Sequence, residues 1–310
     1  MNETINIAFA SDDNYAQHVA VAMASLCRHT AEPERLRFYV LSEGISQEKK
    51  EKLTSTAAKI GAEARIIELT TALTEGLYVS AFLSRTAYVR LSMAELLPVD
   101  KVIYLDCDIL AQDDIAKLWE TDLQGRPLAA VPDFGIMASA KSWRQKKSIM
   151  PLQDGMPYFN SGVLLTNLVA WRENDSGRSL RELAQQNNFP HHDQDTLNKY
   201  FLEKWMPLDL RWNVIPPVFN MFLKVLLRSC YRTRAAAAIR SPGLVHYAGG
   251  YKPWEYTCYE GFNDEYYASL AQTAFHDVIM PQPNPKRKHR SIKRQLRRMQ
   301  WGRFWSNLIV

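Results

Sequence analysis

The fold of this chain is decided by residues 101–108, which read KVIYLDCD. The first five of them are mainly β-branched, aromatic or aliphatic, and they predict a short buried strand. Two carboxylates, Asp106 and Asp108, follow this strand directly. In an open α/β sheet, ligands bind beyond the carboxyl ends of the strands, and the pair falls at such an end.

The two carboxylates of this pair repel each other unless a cation lies between them. A divalent metal with oxygen ligands, such as Mg²⁺ or Mn²⁺, would neutralise them. Alternatively, one of them caps the helix indicated by residues 113–119 and the other is solvated. Cys107, between them, is expected to point into the core. The Asp-x-Asp spacing alone leaves both interpretations open.

Strands and helices alternate on both sides of this stretch. Strands are predicted over residues 5–10, 36–41, 64–68, 128–131, 158–167 and 244–246. Helices are predicted over residues 15–28, 46–60, 84–97, 171–187 and 196–201. This alternation is typical of βαβ units and indicates an α/β fold with a mostly parallel sheet. Neither a dinucleotide-binding glycine motif nor a P-loop is present.

Four polar residues, which read SDDN, follow the first predicted strand at positions 11–14. The first strand-to-helix turn is where nucleotide-binding folds place a ligand. Acidic and amide side chains there suit a ribose or a base edge better than a phosphate. Alternatively, Asp12 or Asp13 only caps the helix that follows.

Four further polar residues lie in or at the end of predicted helices and strands. Arg90 lies amid an apolar helical face, either as a surface charge or as a brace for the acidic pair. Asn160 stands at the edge of a predicted buried strand. Asp193 and Gln194 open a helix, where the helix dipole favours a carboxylate. Plain capping would explain these last two residues equally well.

Residues 244–254, which read LVHYAGGYKPW, form the second informative stretch. A short strand delivers His246, and Gly249 and Gly250 then allow the backbone to approach a ligand closely. Lys252 is placed to meet negative charge. A lone histidine after a strand is often structural, but this combination predicts a phosphate and metal site.

The composition is that of a globular protein. A chain of 310 residues with 46% hydrophobic and 23% charged residues can form one large α/β domain. The four cysteines have no CxxC spacing, so neither a zinc site nor a disulfide framework is indicated. No signal-peptide pattern or long apolar run is seen, and we therefore expect a cytoplasmic location.

Two segments carry no recognisable pattern. Residues 135–157 are polar, predicted to be irregular, and contain Lys141, Arg144, Lys146 and Lys147. A long segment of this kind beside a site is often a mobile lid. Residues 205–243 are rich in Pro, Trp and Arg and hold no clear repeat.

The last 30 residues, 281–310, are expected to form a separate tail. Prolines at 281, 283 and 285 indicate a linker. Nine Lys or Arg and no acid follow from residue 286, so with +5 overall, residues 1–285 carry about −4. Aromatic and aliphatic residues among these charges are typical of a segment lying on an anionic membrane surface. They argue against a nucleic-acid-binding arm, and a disordered tail is the remaining alternative.

Taken together, these motifs resemble those of glycosyltransferase family 8, and the bacterial lipooligosaccharide galactosyltransferases within it. The similarity runs from residue 5 to about residue 254. It rests on FASDDNY (9–15), TAYVR (86–90), YLDCD (104–108), FNSGVL (159–164), and DQD (193–195) with HYAGGYKPW (246–254). Two positions differ from the family pattern: Ser161 replaces a small apolar residue, and Ala248 replaces a cysteine.

The resemblance implies a GT-A type, Rossmann-like nucleotide-sugar-binding domain with a mixed, mostly parallel sheet over residues 1–280, with residues 205–243 shaping the acceptor site. The expected reaction moves galactose, or alternatively glucose, from a UDP-sugar to a lipooligosaccharide, a lipopolysaccharide or another glycan, with retention. Mn²⁺, or alternatively Mg²⁺, would be the metal. The implied metal ligands are Asp106, Asp108 and His246; the donor-binding residues are Ala10, Asp12, Asn14, Asp106, Gly249 and Lys252; the residues around the transferred sugar are Arg90, Asn160, Asp193 and Gln194.

Retention requires an explanation, because a double displacement needs a nucleophile opposite the leaving group. Gln194 occupies that place by resemblance, and a neutral amide is a poor nucleophile. Either Gln194 stabilises an oxocarbenium-like ion while the acceptor attacks from the same face, or a neighbouring Asp serves as the nucleophile. We favour attack from the same face. Two alternatives from other classes are a haloacid-dehalogenase-like phosphatase and a non-catalytic nucleotide-sugar-binding protein.

Overall fold

The sheet that carries the chain is built from strands close to those expected. The computed structural model describes residues 3–70, 86–153, 155–221, 229–250, 252–254, 262–277 and 289–307. The strands are β1 (Ile5–Asp12), β2 (Leu36–Glu43), β3 (Glu63–Glu68), β4 (Lys101–Leu105), β5 (Ile109–Ala111), β6 (Leu128–Pro132), β7 (Phe159–Asn167), β8 (Met206–Pro207) and β9 (Leu244–His246).

The helices connect these strands and cover both faces of the sheet. They are α1 (Ala16–Arg28), α2 (Gln47–Lys59), α3 (Thr86–Val89), α4 (Met93–Leu96), α5 (Ala116–Trp119), α6 (Phe134–Met137), α7 (Ala140–Ile149), α8 (Leu168–Glu173), α9 (Ser176–Gln185), α10 (His192–Tyr200), α11 (Pro216–Met221), α12 (Ser229–Arg240), α13 (Asn263–Leu270) and α14 (His289–Ser306).

The main sheet has the strand order β3-β2-β1-β4-β7-β6-β8. The first four strands in this order are parallel, as helical crossovers require. Strand β7 is antiparallel to both of its neighbours, β4 and β6, and β8 is again parallel to β6. The expected α/β fold with a mixed, mostly parallel sheet is thus confirmed.

Alternation along the strands divides the core into two layers. Ile7 and Phe9 of β1 pack into the apolar cluster that includes α1 and α2, whereas Ala8 and Ala10 pack into the one that includes α8 and α9. Full burial of each large apolar side chain contributes about 2 kcal/mol. Because both faces are covered, the ligand-binding edge lies where β1 and β4 end.

Three predicted elements differ from the observed ones. Residues 135–157, expected to be irregular, contain the helices α6 and α7, because Asp133 and Ser139 cap them: Asp133 Oδ1 accepts from Ile136 N and Ser139 Oγ accepts from Ser142 N. The single helix expected over 84–97 is interrupted by a 3₁₀ turn at Arg90–Ser92, and its first two residues lie outside the described residues. The helix expected over 171–187 is two helices.

A second, two-stranded sheet was not expected. Strands β5 and β9 pair antiparallel, and Ile109 lies opposite His246. The backbone N–H of Tyr247 donates to the Asp108 carbonyl over 2.9 Å. This pairing carries His246 to the carboxylates that follow β4.

The C-terminal helix α14 packs against α11 and α12. Met299 is buried, and Arg303 lies 4.3 Å over the Phe262 ring. Trp301, Phe304 and Trp305, which we call the aromatic face, are 44–56% exposed. The proline segment 281–285 of the expected linker lies outside the described residues. Among the helices described, none is both long and apolar enough to cross a membrane.

Candidate active site

Three of the predicted side chains meet at the carboxyl end of β4. Asp106, Asp108 and His246 offer ligand atoms that all lie within 4.8 Å of one another. His246 Nε2 is 3.1 Å from Asp108 Oδ1 and 3.7 Å from Asp106 Oδ2. The structure therefore brings the expected ligand set together.

The space at this cluster is kept open by Gly162 of β7. A β-carbon at Gly162 would lie 2.4 Å from His246 Cε1 and 2.7 Å from Asp106 Oδ2, closer than side-chain atoms approach each other. Its carbonyl accepts a hydrogen bond from Asp106 N over 2.9 Å, so the approach of the two backbones is fixed. Only glycine fits this position with the present geometry.

The imidazole of His246 is held in the tautomer that a metal requires. Its Nδ1 is 2.9 Å from the amide oxygen of Asn213, which can only accept, so the proton lies on Nδ1. Asn213 in turn donates through Nδ2 to Asn160 Oδ1 over 2.8 Å. The lone pair of Nε2 is left facing the carboxylates. Two carboxylates and one imidazole suit Mn²⁺ somewhat better than Mg²⁺.

Lys252 contacts the same cluster. Its Nζ pairs with Asp108 Oδ2 and donates to the Tyr247 carbonyl over 2.8 Å. Burial would raise the pKa of Asp108, but the ion pair with Lys252 outweighs burial and holds that pKa well below its usual value. Asp108 is therefore a carboxylate across the ordinary pH range.

Arg90 is a buried brace rather than a surface charge. Its guanidinium lies 2.8 Å from Asp106 Oδ1 and 3.2 Å from Asp193 Oδ2. Burial alone would lower the pKa of Arg90, yet Asp106 and Asp193 hold it above the usual value. Burial raises the pKa of Asp193, and Arg90 opposes that rise.

Gln194 and Asn160 converge on one carboxylate that sequence reasoning missed. Both amide nitrogens donate to Asp133 Oδ2 over 3.1 Å. Gln194 Oε1 accepts from the backbone N–H of Ser161 over 3.2 Å. Asp133 directly follows β6, so a polar residue at the end of a predicted strand was the available signal.

Ser161 departs from the family pattern, and the structure gives its hydroxyl a partner. Ser161 Oγ donates to Asp193 Oδ2 over 2.9 Å. Arg90 Nη1 donates to the Ser161 carbonyl over 2.7 Å. The serine therefore adds a polar link between Arg90 and Asp193.

The remaining predicted donor residues lie around this cluster. Ala10, near the end of β1, accepts through its carbonyl a hydrogen bond from Cys107 Sγ over 3.0 Å. Asp12 Oδ1 accepts from Tyr15 N over 3.0 Å in the turn before α1, rather than from a residue of α1 itself. Asn14 and Gly249 are exposed, and Gly249 has a φ of +90°. Within the described residues, these side chains are not hydrogen-bonded into the acidic cluster.

Two buried groups behind the site were also missed. Lys146 and Asp195 form an ion pair with 0% exposure of both side chains, although the sequence placed Lys146 in a polar lid. His18 of α1 stacks on Trp254 with ring centroids 3.5 Å apart. Burial lowers the pKa of His18 to about 3. Neither Lys146 nor His18 belongs to a recognisable sequence motif, because the partner of each lies far along the chain.

Known proteins are similar to this chain in fold and in sequence. The model of the family "Glycosyl transferase family 8" matches residues 6–258. The crystal structure of galactosyltransferase LgtC with donor and acceptor sugar analogues has a TM-score of 0.76 and 29% identity over 89% of this chain and 97% of LgtC.

Curated relatives extend the comparison. General stress protein A of Bacillus subtilis is 29% identical over 290 residues, which are 91% of this chain and 99% of that protein. Lipopolysaccharide 1,2-glucosyltransferase of Escherichia coli K12 is 27% identical over 263 residues, 82% of this chain and 73% of that one. The family match spans most of the chain and decides against the phosphatase alternative. The chain is a sugar transferase of the GT-A fold and belongs to glycosyltransferase family 8.

Proposed function

We propose that this chain transfers a hexose from a UDP-sugar to a saccharide acceptor, with retention and with a divalent metal. The observation that carries this proposal is the gap left by Gly162 between Asp106 and His246. Asp106, one of the three ligands beside this gap, pairs with Arg90. Arg90 in turn contacts Asp193, which is followed in the chain by Gln194.

The donor end of the reaction is assigned to the residues that follow β1, β4 and β9. Asp106, Asp108 and His246 would hold the metal, preferably Mn²⁺, which when bound would neutralise the donor diphosphate and the UDP leaving group. Lys252 would exchange its contact with Asp108 for the phosphates, and Gly249 would allow their close approach. The uridine would lie on Ala10, Asp12 and Asn14.

The sugar end is assigned to Arg90, Asn160, Asp193 and Gln194. In front-face attack, the bond from the anomeric carbon to the phosphate oxygen breaks and the bond to the acceptor oxygen forms on the same face. The acceptor hydroxyl proton passes to the departing diphosphate oxygen. The carbonyl dipole of Gln194 stabilises the positive charge that develops on the sugar, an effect that is strong in a partly dry site.

The acceptor is proposed to be a saccharide of the lipopolysaccharide class, which is the substrate in the name of the E. coli relative. Galactose is the favoured donor sugar, after LgtC, and glucose is the alternative, after the same E. coli relative. Residues 205–243, which include α11 and α12, would shape the acceptor site. The aromatic face and the basic residues of the tail would lie on an anionic membrane surface.

The first test measures UDP release from UDP-galactose and UDP-glucose with Mn²⁺, with Mg²⁺ and with EDTA. Wild type should turn over one donor, and EDTA should abolish turnover. Asp108→Asn should lose roughly 100-fold or more, because the charge of a metal ligand is removed. The matched control, Asp113→Asn, replaces a partly buried aspartate paired with Lys117 and Arg211 and should stay within about twofold. Absence of turnover under every condition, or turnover that EDTA leaves unchanged, would contradict the proposal.

A further inference from the structure

A buried lysine stands behind the proposed sugar site without touching the metal ligands. Lys146 Nζ of α7 is 2.5 Å from Asp195 Oδ1 and 2.7 Å from His191 Nδ1. Burial lowers the pKa of Lys146, while Asp195 works in the opposite direction. A buried ion pair is costly to desolvate and contributes little net stability. Its presence is therefore better explained by what it does to its neighbours.

Asp195 connects this lysine to Gln194 through a phenol. Tyr158 donates its hydroxyl hydrogen to Asp195 Oδ1 over 2.7 Å. The hydroxyl oxygen of Tyr158 is 3.3 Å from Gln194 Nε2 and accepts from it. The second oxygen, Asp195 Oδ2, accepts from His191 N over 2.8 Å. In all of these hydrogen bonds Asp195 is the acceptor.

The direction of this relay follows from the charge of Asp195. An ionised carboxylate can only accept, so the hydrogen of Tyr158 must point to Asp195 and leave its oxygen for the Gln194 NH₂. The carbonyl oxygen of Gln194 is then turned to Ser161 N, 3.2 Å away.

We propose that Lys146 is a positioning residue for the transfer reaction. Its ammonium group pairs with Asp195 Oδ1 and holds this carboxylate against Tyr158, and through Tyr158 it favours one orientation of the Gln194 amide. Asp133 Oδ2, 3.1 Å from Gln194 Nε2, favours the same orientation. The consequence for rate rests on the proposed function, in which Gln194 adjoins the transferred sugar; the orientation itself does not.

The test begins with Lys146→Met, which removes the charge at similar volume. The rate constant kcat should fall about 10- to 100-fold while KM for the UDP-sugar stays within about twofold, because no donor-binding residue is changed. Lys101→Met is the matched control. Lys101 Nζ donates to the Trp119 carbonyl over 2.5 Å at the opposite end of β4, and its replacement should leave kcat unchanged. A kcat of Lys146→Met equal to that of wild type would overturn the proposal.

A second variant separates positioning from folding. Lys146→Met combined with Asp195→Asn leaves no unpaired charge, so the thermal midpoint should recover relative to the single variant. Because His191 N still needs an acceptor, the new amide oxygen turns to it and the NH₂ group faces Tyr158. The relay is then reversed, and kcat should stay low. Recovery of kcat together with the midpoint would show that Lys146 acts only through stability.

A third measurement does not depend on turnover. Hydrogen exchange of the Ser161 amide should be faster in both variants than in wild type and in Lys101→Met, because a Gln194 amide that is less firmly held, or reversed, is a weaker acceptor for it or none. If wild type turned over no UDP-sugar, the proposed function would fail, and this exchange would still decide the orientation. Unchanged protection of Ser161 in both variants would overturn the inference.

Discussion

At Gly162 the absence of a single carbon atom creates the space for a ligand. The β-carbon of any other residue would displace His246 or Asp106. Gly162 lies in β7, inside an extended strand, where glycine is otherwise unfavourable. Glycine in a strand lowers stability by about 0.5–1 kcal/mol relative to alanine. Its presence at position 162 is explained by the space that the site needs.

Gly162→Ala should separate stability from metal binding. We expect the affinity for Mn²⁺ to fall at least about 10-fold, the lower range seen when supporting contacts of metal ligands are lost. The thermal midpoint of the metal-free protein should fall only modestly, because the restriction of the unfolded chain by alanine offsets part of the cost of displacing His246 or Asp106. Calorimetric titration with Mn²⁺ measures the first quantity and thermal unfolding in EDTA the second. An unchanged Mn²⁺ affinity would refute the role of the gap.

His18 should make the fold sensitive to acid. Its pKa in the folded chain is about 3 because it is buried, against about 6.5 in an unfolded chain. Below about pH 6.5 the unfolded chain binds a proton at His18 and the folded chain does not, so the free energy of unfolding falls as the pH falls towards 3. One such proton gives a slope of up to ~1.4 kcal/mol per pH unit.

Replacement of this side chain should flatten the slope. In His18→Phe, the ring stack on Trp254 is kept and the titrating group is lost. Urea unfolding in EDTA between pH 6 and pH 4 should then show a shallower loss of stability than wild type, by about one proton. Equal slopes in the two proteins would mean that His18 titrates in the folded state as it does in the unfolded state.

Single residues could be predicted from the sequence where a strand end marked them. Asp106, Asp108 and His246 each follow or end a recognisable strand, and the structure places them together. Lys146 offered no such mark, because it stands among other basic residues and its partner Asp195 lies 49 positions away. Burial of one charge among several is a tertiary property.

At the scale of elements, short segments escaped prediction for a physical reason. Strand β5 has three residues, too few to show a period, and it exists because β9 pairs with it. Helix α7 was hidden by its polar composition, although Ser139 caps it and Ile149 and Met150 adjoin the apolar cluster beside it. A local sequence pattern does not predict a segment whose structure depends on tertiary contacts.

The two-sided helix α14 leads to a prediction about membranes. One side is held by the body, where Gly302 lies against the backbone of Phe219, and the other carries the aromatic face. Each basic residue near an anionic surface contributes about 1 kcal/mol. The protein should therefore sediment with vesicles that contain anionic lipid, less so at high salt, and not with neutral vesicles.

Serine at all three positions of the aromatic face should weaken this sedimentation at least about 10-fold, since the apolar area is lost. UDP release with a soluble acceptor should be unchanged in that triple variant. Vesicle binding equal to that of wild type would contradict the proposal that the aromatic face lies on a membrane surface. Helix α14 would then serve only to pack against α11 and α12.

At the scale of the whole molecule, the alternation of strands and helices predicted the parallel half of the sheet. It did not predict the reversal at β7, because the direction of a strand depends on how the chain returns, not on its own residues. Five separated motifs still located the site, since parallel strands end at one edge. The mixed sheet is the form in which β7 can supply Gly162 beside β4.

The pairing of β5 with β9 also sets the order in which the protein can become active during its own synthesis. Asp108 leaves the ribosome 138 residues before His246. At about 5–20 residues per second, the growing chain spends roughly 7–28 seconds with two ligands and no third. Asp106 can pair with Arg90, which precedes it in the chain, but the ligand set stays incomplete until His246 has been made. A nascent chain halted before residue 246 would thus carry every strand described for the main sheet and no finished site.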